Sequence, residues 1–233
     1  MTEGNGKFDP EQLGGLDDPV RRYLTRALAP GMTVPDAWSL RMKGSIKVGL
    51  RLPFEAGQEL DGRSFRWRAR VPSNRFPLLE VLDYFDGTGG GMTGRGFGRQ
   101  LFADTSADAA RSAATRAVME STMVPATLRP GTGIEWTARS ETEIRFRRPA
   151  VSLAGEVTLR IDPDGRAIEV EAPRWRKEKD QSGGLLPFLC RFDGEREFAG
   201  MKVPARMTAG WVEGEFKPFF SARITSVEAI SVP

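Results

Sequence analysis

From Trp38 the chain alternates between apolar and polar residues without a break. Trp38, Leu40, Met42, Gly44, Ile46 and Val48 are interleaved with Ser39, Arg41, Lys43, Ser45 and Lys47. A period of two describes a strand with one face in a core and the other in water, and it cannot be presented as one apolar stripe on a helix. The pattern recurs. Phe54, Ala56, Gln58 and Leu60 share a face, and Asp61-Gly62 then supplies a hairpin turn. Phe65, Trp67, Ala69 and Val71 return on the same face, with Arg66, Arg68 and Arg70 pointing outward. Residues 78–86 and 99–104 read as two more strands. Past position 132 the pattern resumes with Ile134, Trp136 and Ala138, then with Ile144 and Phe146. Val157, Leu159 and Ile161 next lead into the turn Asp162-Pro163-Asp164-Gly165, and Ile168, Val170 and Ala172 lead out of it. Residues 174–188 read as a charged, glycine-containing excursion, and 206–212 and 219–230 as the last strands.

Two segments break the period of two. Residues 17–28 carry Pro19 in a first turn and place Val20, Tyr23, Leu24 and Leu28 on one helical face, with Pro30-Gly31 as the stop. Residues 106–122 form the internal helix. Ser106 is its cap, Ala110, Ala113, Ala114, Ala117 and Val118 give a small apolar face, and Pro125 and Pro130 lie beyond it. Helix and strand do not alternate regularly, which argues against a doubly wound parallel sheet. The expected architecture is mainly β: a single curved antiparallel sheet of about ten strands, a half-barrel. One helix covers its concave face and another sits at the N-terminus. Residues 1–16 are expected to be a flexible segment and 17–233 a single β-rich domain. Such a sheet leaves one apolar face that a helix, further curling or a ligand must cover.

The composition excludes several chemistries. The chain has 233 residues, no histidine and one cysteine, Cys190, so histidine-based triads, histidine zinc sites and internal disulfides are ruled out. No cofactor and no metal is expected. The 34 basic and 31 acidic residues are spread along the chain and make no nucleic-acid footprint. The N-terminal residues lack the basic-then-apolar pattern of a signal peptide, and no apolar run is long enough to cross a bilayer. The expected compartment is cytoplasmic. Oligomeric state is not encoded in any pattern here.

The stretch Gly89-Gly90-Gly91-Met92-Thr93-Gly94 fits the spacing of a dinucleotide-binding loop. Such a loop requires a helix directly behind it, whose N-terminus meets the pyrophosphate. Residues 95–104 instead have strand or loop character, so the stretch is expected to be a hairpin turn or flap between two strands. More informative are polar residues on apolar faces. Gln58 lies among Phe54, Ala56 and Leu60, and Asp83 among Leu79, Val81 and Phe85. Buried polar groups need partners, and Arg116 and Glu120, one turn apart on the internal helix, are the candidates. Together with the inward tryptophans, the candidate ligand-binding residues are Gln58, Trp67, Asp83, Arg116, Glu120, Trp136 and Trp211. No catalytic residue is singled out.

The order PVRRYLTRAL, LRMKGSI, PFEAGQEL, FRWRARV, LDYFDGTGGGMTGRGFG, RAVMESTMVPATLRPGTGIEWTA and GW resembles a bacterial family of uncharacterised proteins over about residues 17–228. Arg116, Glu120 and Pro125 match its pattern most specifically. Ala117 and Met123 stand where the family tends to carry Tyr and Trp. The architecture is similar to the half-barrel of lipoprotein-carrier and lipid-binding proteins, in which an incomplete barrel wraps helices and an acyl chain. The expectation from residues and resemblance together is non-enzymatic binding of an apolar or amphipathic small molecule, with a lipid as one form of it. The alternatives are a carboxylate-based hydrolase or isomerase in the same cavity and an interaction module with a filled core.

Overall fold

The alternating segments form strands, and nearly all of them join one sheet. The computed structural model describes residues 6–73, 77–177 and 183–230. In chain order these hold β1 (Gly6–Lys7), a 3-10 turn (Pro10–Leu13), α1 (Asp18–Ala27), β2 (Thr33–Val34) and β3 (Ala37–Val48). Next come β4 (Leu50–Leu60), β5 (Phe65–Val71), β6 (Leu79–Phe85), β7 (Gly90–Gly96), β8 (Arg99–Asp104) and α2 (Ala107–Met119). Beyond two 3-10 turns (Glu120–Met123, Pro125–Leu128) lie β9 (Glu135–Ala138), β10 (Glu143–Arg147), β11 (Val157–Ile161) and β12 (Ala167–Lys177). The chain closes with β13 (Gly183–Phe198), β14 (Met201–Glu213) and β15 (Glu215–Ile230).

Among the described residues the main sheet has 13 antiparallel strands in the order β8-β7-β6-β5-β4-β3-β15-β14-β13-β12-β11-β10-β9, and β1 pairs with β2 apart from it. The expected count of about ten is therefore too low. The excess comes from the glycine stretch and from the region read as a charged excursion. Residues 174–177 continue β12 and 183–188 begin β13, with Arg174 opposite Leu186 and Trp175 opposite Leu185; residues 178–182 lie outside the described residues. Arg174 and Arg176 at alternate positions hid the end of β12, and the glycines and proline of 183–188 hid the start of β13.

Each arm of the sheet is a meander, and the arms join at β3 and β15, where Ile46 faces Phe220 and Trp38 faces Ala229. Strands β8 and β9 are thus the two free edges, and the chain between them has to cross the sheet. It crosses the concave face as α2, against β12 on one arm and β6 and β7 on the other. The helix begins where Ser106 Oγ accepts the Ala109 amide, which satisfies one of its free N–H groups.

The glycine stretch is strand β7 itself. A Cβ at Gly90 would sit 2.7 Å from the Tyr84 carbonyl oxygen and 3.0 Å from the Ala113 Cβ on α2. A Cβ at Gly94 would sit 2.1 Å from the Phe102 ring. Glycine here makes room for the helix and for a neighbouring aromatic ring, while the turn before it is made by Asp86 Oδ1 accepting the Thr88 and Gly89 amides.

Because pairing is antiparallel throughout, the hairpins fall at two ends. One end carries the turns at Asp61–Ser64, Asp86–Gly89, Asp162–Gly165 and Ala199-Gly200. There α1 closes the sheet, with the Ala29 amide bonded to the Gly200 carbonyl and Gly165 against the Arg22 backbone. Phe8 and Leu13 pack into this end and are only 2% and 1% exposed; residues 1–5 lie outside the described residues. The other end carries the tips at Gly49, Phe97-Gly98 and Gly214. Exposed apolar side chains collect there: Val48, Leu50, Leu78, Phe97 and Leu101.

The seam between the arms is close. A Cβ on Gly44 would lie 2.0 Å from the Ser221 carbonyl oxygen. Gly44→Ala is expected to destabilise the fold by about 1–3 kcal/mol, read as a drop of several degrees in the thermal midpoint by circular dichroism. An unchanged midpoint would show that the two strands can part without cost.

Candidate functional site

A cavity of about 550 Å³ lies between α2 and the concave face and runs towards the apolar end. Its walls are Trp67, Val81, Phe188, Trp211 and Phe220 among others, and its charged members are Asp83, Arg116, Glu120 and Arg174, with Arg70 at the edge. The helix supplies these groups because its two faces differ. Ala110, Ala113, Ala114 and Ala117 let it settle closely into the concavity, and that leaves Arg116, Met119, Glu120 and Met123 along the cavity.

Strand register assembles the sheet side. Gln58 lies opposite Trp67, Trp67 opposite Asp83, and Asp83 opposite Met92, a row across four neighbouring strands. Arg116 meets this row from the helix: Nη1 donates to Asp83 Oδ2 at 2.6 Å and Nε to Glu120 Oε1 at 2.5 Å. Gln58 Nε2 donates to the other Glu120 oxygen. The Arg116 guanidinium also lies over Phe65 and Trp67, at 4.7 and 5.0 Å from the ring centres. Burial works against its charge, but Glu120 and Asp83 outweigh burial and hold its proton more firmly than usual.

Arg174 is a second cation in the same wall, and it is not among the candidates drawn from the sequence. The signal was present: Val170, Ala172 and Arg174 continue one period of two, so the side chain points inward from β12. Its Nε donates to the Ser112 hydroxyl at 3.0 Å and to the Ser112 carbonyl at 3.3 Å. Phe188 and Trp211 flank it, their ring centres 4.8 and 5.8 Å from its Cζ. Among the described residues it has no carboxylate partner. Desolvation by burial, then repulsion from Arg116, bring its pKa down to about 10.

Of the residues expected to bind a ligand, Trp67, Asp83, Arg116, Glu120 and Trp211 line the cavity. Gln58 lies behind it, buried and holding Glu120. Trp136 is elsewhere. It packs beside Phe146 and against Tyr23 of α1, and its indole nitrogen donates to the Leu128 carbonyl at 3.1 Å. Alternation put it on the inner face, but β9 is the far edge strand, where that face lies under α1. Cys190 lines the cavity as a small apolar group, its thiol pushed up by burial and by Glu120.

Residues 6–222 match the family of unknown function DUF6544, and the chain belongs to that family. No curated protein matches the sequence. Among solved structures, the chain is similar to a DUF1329 family protein from Desulfovibrio piger at 10% identity and a TM-score of 0.50, covering 95% of this chain and 94% of that one. A LolA superfamily protein from Nitrosomonas europaea aligns at 8% identity and a TM-score of 0.46, over 92% and 93% of the two chains. A putative outer membrane lipoprotein-sorting protein domain from Vibrio parahaemolyticus aligns at 8% and 0.45, over 82% and 84%. At 10% identity the likeness to the Desulfovibrio piger protein concerns the fold alone.

The two arginines should respond to substitution in opposite senses. Arg116→Met strands two carboxylates in the cavity wall and is expected to cost about 3–5 kcal/mol in urea unfolding, whereas adding Asp83→Asn and Glu120→Gln should recover much of that loss. Arg174→Met is expected to stabilise. A guanidinium whose pKa is lower in the folded than in the unfolded chain opposes folding below pH 10. Its removal should therefore raise the thermal midpoint at pH 7, and the gain should fade as the pH climbs past 10.

Proposed function

We propose that this member of a family of unknown function binds an apolar or amphipathic small molecule, a lipid among the candidates, between α2 and the concave face of its sheet. The observation that carries the reading is the cavity itself: about 550 Å³ of space, walled by aromatic and aliphatic side chains. Ligand pockets of soluble proteins fall in the range of about 300–1,000 Å³ with a few polar groups set in an apolar wall. An apolar wall facing water is unfavourable, and an apolar guest that displaces the water gains the free energy of burying that surface. The exposed Val48, Leu50, Leu78 and Phe97 at the open end give such a guest an apolar path inward. The open half-barrel with a helix in its concavity suits this role as well.

The alternative of carboxylate-based hydrolysis or isomerisation draws little from the site. Asp83 and Glu120 are both committed to Arg116, and burial disfavours the thiolate of Cys190 that a nucleophile would need. A filled-core interaction module is at odds with a void of this volume.

The test uses the purified full chain and the neutral fluorescent probe N-phenylnaphthylamine. Binding should shift the probe emission to the blue and change Trp67 and Trp211 fluorescence. Ala209 lies in the wall opposite Cys190 and Phe220, so Ala209→Trp should fill the space and weaken binding by at least about tenfold while the protein stays folded. Equal binding by the filled variant would mean that the probe sits elsewhere. Native mass spectrometry of the freshly purified protein should also reveal a co-purified apolar molecule.

A further inference from the structure

Resting on the reading of the cavity as a ligand site, we infer that Arg174 is its anion seat: the guest carries one acidic head group, carboxylate or phosphate, on an apolar body. The first ground is geometry. Ser112 takes only Nε of Arg174, which fixes the plane of the guanidinium. The two terminal nitrogens have no bond to protein among the described residues, and neither is sealed away from the cavity that Arg174 lines. Two parallel N–H donors in one plane are the arrangement that receives two oxygens of a carboxylate or phosphate.

The second ground is the distribution of charge. The wall holds three cations and two carboxylates; Arg70, at the edge, is paired with Glu55, while both wall carboxylates bond Arg116, and Glu120 is tied to Gln58 besides. Arg116 is matched twice and Arg174 not at all. Phe188 and Trp211 give Arg174 only their ring faces, a weaker return than a bonded anion. A buried charge without a partner is unfavourable, and burial together with Arg116 does depress its hold on the proton. An anionic head group would supply the missing partner, and its apolar body would then lie along Trp211, Phe219 and Phe220 towards Val48.

The test compares three guests on the full chain by displacement of N-phenylnaphthylamine: dodecanoic acid, dodecanol and lysophosphatidylglycerol. Wild type is expected to prefer dodecanoic acid over dodecanol by at least about tenfold at neutral pH, the worth of a charge-assisted hydrogen bond. Arg174→Met should abolish that preference, bringing the acid and the alcohol to equal affinity. Arg174→Gln, which keeps a polar tip, should behave the same way and serves if the methionine variant does not fold. If lysophosphatidylglycerol outcompetes dodecanoic acid the head group is a lipid phosphate, and the reverse order makes it a free carboxylate; either supports the seat. Equal binding of acid and alcohol by wild type overturns the seat and leaves the apolar cavity standing, as does a preference that survives both substitutions. Failure of all three guests to displace the probe overturns both readings.

Discussion

Strands β8 and β9 are successive in the chain but lie at opposite edges of the sheet, so the polypeptide between them is obliged to travel over the concave face. This one connection decides what the interior can be. The helix that makes the crossing needs small residues towards the sheet, and its Ala113 meets a strand that has given up its own side chain at Gly90. Once that face is spent on packing, the remaining face has to look along the concavity. Ser112, Arg116 and Glu120 lie on it at helical spacing, which is how a covering element also becomes the source of the cavity's polar groups.

The two cavity arginines illustrate how differently one residue type behaves a short distance apart. Arg116 bridges helix and sheet and has its charge met by two carboxylates, so it fixes the position of α2. Paired buried charge of this sort contributes more to a defined arrangement than to net stability. Arg174, anchored by a serine and set between aromatic rings, contributes neither a tie to a carboxylate nor a favourable burial. Proteins keep such residues where activity needs them in spite of stability.

Much of this could be read from the residues because local patterns determine it. Alternation through Trp38–Val48 specifies a half-buried strand wherever its partners lie, and alanine spacing with a serine cap specifies α2. The suspicion attached to Gln58 and Asp83 as polar groups on apolar faces, with Arg116 and Glu120 as their partners, rested on the cost of an unmet buried group, which holds in any fold. Register and position are another matter. Nothing in the pattern states that Gln58, Trp67 and Asp83 stand in one cross-strand row, or that the face carrying Trp136 lies under α1. The glycine stretch misled because glycine usually signals a turn, whereas in β7 it marks the approach of other atoms. Arg174 is hidden because the alternation through Val170 and Ala172 runs on into a cluster of charged residues that masks its period.

The pairing of β3 with β15 joins residues such as Ala37 and Ile230, far apart in sequence. On the ribosome the first arm emerges complete while the strand that will flank β3 is still unmade. Until then β3 is a free edge, with all the liability of one. The strand that unites the arms follows the other strands of the sheet in the chain, and its contacts with β3 join residues far apart in sequence. Closing so long a loop is entropically costly before any contact repays it, and topologies dominated by such distant pairings fold slowly. The sheet cannot be completed before β15 is made, and without that strand the two arms share only the helix that packs against both of them.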